Sequence, residues 1–147
     1  MQARTPLEAI NRVCEDLGSA PIKARDLAAQ LGTIEDEGAS AVYVNVTIPG
    51  VKKVIVSQDP DTQEATYVEF MVDAAGQGVT PKVLQDHYGK PKEVPRVHAE
   101  QARSVLYPTK TRKEWRFMCT VVARIRTEGK ALDRGVVESI AVRREPR

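Results

Sequence analysis

At 147 residues the chain is long enough for one compact domain, or for two small repeats around a shared core. A charged fraction of 29% beside 41% hydrophobic residues excludes wholesale disorder, and no apolar run reaches the roughly 18 residues of a membrane helix. Net charge is +2, yet residues 1–81 carry 6 Lys or Arg against 12 Asp or Glu, whereas residues 82–147 carry 16 against 8. The acidic half can face the basic half within one fold, or between two copies of a homodimer. The start, Met1-Gln2-Ala3-Arg4-Thr5-Pro6, shows no apolar signal core.

Thr5-Pro6-Leu7-Glu8 has the form of a capping box with proline in the first turn. Leu7, Ile10, Cys14 and Leu17 follow on one helical face, and Gly18 is the expected stop, so the spacing predicts a helix over 6–17. A second helix is expected to open at Ser19-Ala20-Pro21, to bury Ala24, Leu27, Ala28 and Leu31, and to close at Gly32. Glu35-Asp36-Glu37-Gly38 reads as a solvated loop.

The period then changes to two. Val42, Val44, Val46 and Ile48 alternate with polar residues, Pro49-Gly50 turns the chain, and Val51–Ser57 returns. Gln58-Asp59-Pro60-Asp61 is a second turn, followed by a strand over Thr66–Val72. Turns this short force antiparallel pairing. Residues 74–78 form a small-residue linker, after which Thr80-Pro81 opens a short helix closed by Gly89. Lys90 to Ala102 reads as loop. Glu114 to Arg126 is the strongest strand pattern. Trp115, Phe117, Cys119, Val121, Ala123 and Ile125 line its inward face, opposite Arg116, Met118, Thr120, Val122, Arg124 and Arg126. Glu128-Gly129 makes a turn, Val136–Val142 returns, and Arg143 to Arg147 reads as a polar tail.

Helix, glycine, loop and strands thus occur twice. Leu27…Leu31-Gly32 matches Leu84…Tyr88-Gly89, and Val68-Glu69-Phe70 matches Val137-Glu138-Ser139. The expected fold is α+β: an antiparallel sheet of six to eight strands with helices on one face. Two helix-sheet repeats, 1–76 with an extra N-terminal helix and 77–147, would share one core.

In the second half, Gly78-Val79-Thr80-Pro81…Leu84…Tyr88-Gly89-Lys90-Pro91, then Tyr107 and Trp115-Arg116-Phe117, carries a further likeness. It resembles the outer-membrane assembly lipoproteins of the SmpA/OmlA type and the related β-lactamase-inhibitor proteins. The resemblance implies tandem helix-plus-sheet repeats in an exported bacterial protein, periplasmic or secreted, that binds another protein. Neither a lipobox cysteine near the start nor a cysteine pair within each repeat is present, since Cys14 and Cys119 are far apart in the chain. The inhibitor proteins insert an acidic hairpin turn into their target, and Asp59 and Asp61 sit on a comparable turn.

Enzymatic motifs are missing. There is no phosphate-cradling GxGxxG or GxxxxGK[ST] loop, and the two histidines, His87 and His98, have no cysteine at metal-ligand spacing. The chain therefore reads as not an enzyme, with no metal and no cofactor. Its candidate partner-binding residues are Arg116, Arg124 and Arg126 on the outward face of the long strand, together with Asp59 and Asp61. The alternative function is a cytoplasmic nucleic-acid-binding module on that arginine face, but the interleaved aromatics that stack bases are lacking there. Cys14 on the apolar face of the first helix and Cys119 on the inward strand face would meet if that helix packs on the sheet. In an exported protein they would form a disulfide closing a loop of about 105 residues. In a reducing compartment they would be two buried thiols.

Overall fold

The computed structural model describes residues 5–73, 79–95 and 102–147. The expected linker over 74–78, with the boundary between the two expected repeats, and His98 lie outside the described residues. Helix α1 spans Pro6–Ser19 and α2 spans Ala24–Leu31. Four strands follow: β1 Thr33–Glu37, β2 Ala41–Asn45, β3 Val51–Gln58 and β4 Ala65–Val72. Helix α3 is Pro81–Tyr88, and β5 Lys92–Val94, β6 Arg103–Tyr107, β7 Phe117–Arg126 and β8 Val136–Pro146 complete the chain. All eight strands join one open antiparallel sheet in the order β1-β2-β3-β4-β8-β7-β6-β5. The fold is the expected α+β sheet with its helices on a single face. Each half of the chain supplies one half of the sheet, and the halves meet where Val68 pairs with Val142 and Phe70 with Ile140. Val137-Glu138-Ser139 lies instead at a bulge, where Glu138 is passed over between the Arg124–Ser139 and Ile125–Val137 pairs.

The helix starts follow the sequence chemistry. Thr5 Oγ1 accepts from Glu8 N–H at 3.1 Å, and Thr80 Oγ1 accepts from Val83 N–H at 3.2 Å, each just before a first-turn proline. Helix α1 lays Ala9, Ile10, Val13, Cys14 and Leu17 on β7, β8 and β4. The shorter α2 lays Leu27 and Ala28 over β1–β4. Helix α3 packs on β6 and is pinned to α1 by Tyr88, whose hydroxyl donates to Asn11 Oδ1 at 2.7 Å.

Several expectations need correction. Gly18 does not stop α1, which continues to Ser19; a Cβ there would stand 2.5 Å from Trp115 Cε3, so the glycine admits the indole ring. Residues 20–23 are extended rather than helical, because Ile22 C=O accepts from Ala65 N–H at 2.8 Å and Lys23 bridges to Glu64. The acidic stretch at 35–37 is part of β1. A strand at the sheet edge tolerates charge because one of its sides has no neighbour. Strand β2 ends at Asn45, short of Ile48. The expected loop from Lys90 contains β5, and β6 follows it. Strand β7 begins at Phe117 rather than Glu114. Residues 143–146 are not a tail but the end of β8, paired with β7, and Arg143 also pairs with Tyr67 on β4. The turn at Glu128-Gly129 has the expected left-handed φ values, +49° and +81°, and a 3-10 turn, Leu132–Arg134, lengthens the connection.

Candidate functional site

The helices cover only the sheet face formed by Val44, Val54, Phe70, Ile140, Ala123 and Val105 in one row and Val42, Val56, Val68, Val142, Val121 and Tyr107 in the next. Strand alternation sends the intervening residues to the opposite face, which no described element covers. Registers across β2-β3-β4-β8-β7-β6 place Tyr43, Ile55, Glu69, Ala141, Val122 and Leu106 in a central row. Tyr67, Arg143 and Thr120 flank it on one side, and Met71, Ser139, Arg124 and Ser104 on the other.

A shallow depression of about 160 Å³ opens at the centre of this face. Its floor is made of small residues, with Ala141 only 7% and Ser139 only 4% exposed, and its walls include Tyr67, Val122, Arg124 and Arg143. Small residues between long ones on a pleated surface leave this kind of hollow. Arg143 stands four residues along β8 from Ser139, the partner of Arg124, so the two arginines are about 13 Å apart along the strands. Tyr67 and Glu69 lie two residues apart on the same side of β4. Burial, then the Glu69 carboxylate, pushes the Tyr67 hydroxyl above the ordinary tyrosine range, while Arg143 and Arg124 oppose the shift. Arg143 has an exposed ion pair with Glu145 at 3.4 Å, and Arg124 has no ion pair among the described residues.

The expected partner-binding residues do not form one cluster. Arg124 lies in the depression. Arg126 is exposed but turned onto Glu128 at 3.2 Å and Glu138 at 3.9 Å. Arg116 precedes β7, at the end of the sheet, where its N–H donates to Gly18 C=O at 3.0 Å. One carboxylate oxygen of Asp59 accepts from the N–H groups of Asp61 and Thr62, at 2.8 and 3.2 Å, which shapes the turn; Asp61 is exposed at its tip. The sequence assigns no binding role to Tyr67, Glu69, Ser139 or Ala141, and it places Arg143 only beyond the arginine face, in the expected polar tail. The alternation of Tyr67 and Glu69 with Val68 and Phe70 carries the signal for two of them, and Arg143 continues the period of Ser139 and Ala141 past Val142.

Cys14 and Cys119 are joined in a disulfide, with their α-carbons 5.5 Å apart and a sequence separation of 105. Both are buried, and Thr109 Oγ1 donates to the carbonyl of Cys119. The bond fixes α1, from the start of the chain, to a strand of the second half. His87 sits in the last turn of α3, with its Nε2 3.1 Å from Asn11 Nδ2. Near it, burial raises the Tyr107 hydroxyl to about 12 and pushes Tyr88 higher still. Two other hollows, about 60 Å³ between α1 and α2 and about 220 Å³ beside Lys23, Glu37 and Gln58, are smaller than the roughly 300 Å³ at which small-molecule sites begin. Among the described residues no three His, Cys, Asp or Glu side chains gather as a metal site would require, and no helix is long and apolar enough to cross a membrane. Compared with protein-family models, with curated proteins and with solved structures, the chain matches none.

Proposed function

We propose that this is a non-catalytic protein of the bacterial cell envelope, periplasmic or secreted, that binds another protein through the open face of its sheet. One observation carries the reading: a sheet face that no described element covers, with Tyr43, Ile55, Met71, Leu106 and Val122 interspersed with charged groups. Apolar residues placed among arginine and tyrosine are what a protein interface uses. The buried disulfide is compatible with an oxidising compartment and supports the envelope assignment.

Nucleic acid on the same face has weaker support. Arg126 is engaged by two carboxylates, Arg116 lies off the face, and Glu69 would repel a phosphate near the midpoint between Arg124 and Arg143. The aromatic rings there are also engaged, Tyr43 beneath Lys53 at 4.7 Å and Tyr67 beside Glu69.

A photo-crosslinking residue placed at Val122, with a control at exposed Asp26 on α2, tests the binding reading in cells. A protein adduct from position 122 and none from position 26 is expected; equal adducts, or none, would count against the open face. Alkylation of intact cells tests the compartment. Cys14 and Cys119 should resist a thiol reagent in denaturant until a reductant is added, and immediate labelling would place the chain in a reducing compartment.

A further inference from the structure

We infer that the open face receives an extended acidic protein segment, whose carboxylates two strand positions to either side of an apolar residue pair with Arg124 and Arg143. This rests on the protein-binding reading and adds the chemistry of the partner. An extended chain advances about 3.3 Å per residue and shows alternate side chains on one side, so residues i, i+2 and i+4 span about 13 Å. That is the separation of Arg124 and Arg143 along the strands, and Val122 and Ala141, a cross-strand pair, lie between them. The pattern acidic-x-apolar-x-acidic therefore fits the depression residue by residue.

Charge on the face favours this occupant. Across β3, β4, β8 and β7 its three central rows hold Lys53, Arg124 and Arg143 against Glu69; where the central row reaches the edge strands it adds Asp36 beside Tyr43 and Lys92 beside Leu106, both away from the depression. Glu69 stands on β4, to one side of the Val122–Ala141 floor and beside Tyr67. The Arg143–Glu145 pair is exposed and contributes little, so an incoming carboxylate displaces it at small cost. A second copy of this chain is a poorer occupant, because face-to-face packing would bring arginines against arginines.

The test is an amide NMR titration of the ¹⁵N-labelled full chain with the blocked peptide acetyl-Glu-Ser-Leu-Ser-Glu-amide. Controls are the same peptide with Gln, or with Lys, in place of Glu, and an oligothymidylate. The Glu peptide is expected to move the amides of Val122, Arg124, Ala141 and Arg143, and to weaken several-fold as salt rises from about 50 to about 500 mM. An Arg124→Glu/Arg143→Glu variant should lose the Glu peptide and gain the Lys peptide, a reversal that an unfolded chain cannot produce. If the Gln peptide moves the same amides equally, the acidic preference is overturned and the protein-binding reading stands. If no peptide moves them, this inference falls, and the wider reading is decided by crosslinking at position 122. If the oligothymidylate moves them instead, both give way to nucleic-acid binding.

Discussion

Two faces of one sheet are built from alternate residues of the same strands, yet they follow different rules. The covered face is nearly all Val, Ile, Phe and Ala, fully buried beneath α1 and α2. The open face mixes Tyr, Met, Val and Leu with Arg, Lys and Glu, and its best-shielded positions are the small residues Ser139 and Ala141. Burial of apolar area explains the first composition. It does not explain why arginines flank a hollow on the second. The contrast separates residues that hold the fold from residues available for recognition, and it is open to attack from either side.

The largest effect should come from the covered side. Replacing both Cys14 and Cys119 by alanine should cost about 4–5 kcal/mol, the chain entropy released when a loop of 105 residues is no longer closed. Urea unfolding of the variant beside the oxidised parent measures it. A loss below about 1 kcal/mol would mean that packing alone positions α1. Phe70→Ala, at the seam between the two halves of the sheet, should cost about 3–5 kcal/mol in the same assay.

Gly18→Ala is expected to cost about 1–3 kcal/mol, because its Cβ would collide with the Trp115 ring. Near-ultraviolet circular dichroism should show a disturbed tryptophan band, and an unchanged band would refute the packing role given to this glycine. Val122→Ala, one residue from buried Val121 but on the open face, should cost under about 1 kcal/mol. A larger penalty would mean that the open face is part of the stabilising core.

The smallest effect concerns Asp16 on α1. Burial, partly offset by Arg12, holds its carboxyl above the ordinary aspartate range, and Oδ2 has no hydrogen-bond partner. A raised value means that the folded state holds the proton more readily than the unfolded chain. This group's contribution to stability therefore falls as pH rises through the raised value. Asp16→Asn should raise the thermal midpoint at neutral pH and make no difference near about pH 3, where the acid is protonated in both states. A gain persisting at low pH would assign the effect to something other than charge.

Much of this division was readable from the chain, and the failures have physical causes. Period-two alternation gave the cores of β3, β4 and β7 and the orientation of Arg124, because each strand buries one side. The cysteine pair was readable because helical spacing put Cys14, and strand parity put Cys119, on faces directed at each other. Edge strands β1 and β5 escaped notice: one is acidic, and the other is three residues between prolines. An edge is stabilised by a single neighbour and carries little pattern of its own. The terminal arginines resembled solvent-facing tail, although pairing with β4 and β7 holds Arg143 and Arg144 in the sheet and Arg144 meets Glu64 at 2.9 Å. The hollow itself was not legible, since it depends on register across four strands, and neither was the contact of Gly18 with a residue nearly a hundred positions away.

The most direct test of the central claim is a single amide NMR spectrum of the Arg124→Ala/Arg143→Ala variant, recorded with increasing amounts of the blocked Glu-Ser-Leu-Ser-Glu peptide. If the open face serves recognition rather than stability, the variant should keep the parent's dispersed spectrum outside the depression, and the peptide should no longer move Val122 and Ala141. A collapsed spectrum would make the two arginines structural. A preserved spectrum with undiminished shifts at Val122 and Ala141 would show that the face binds without them, and either result would contradict the account.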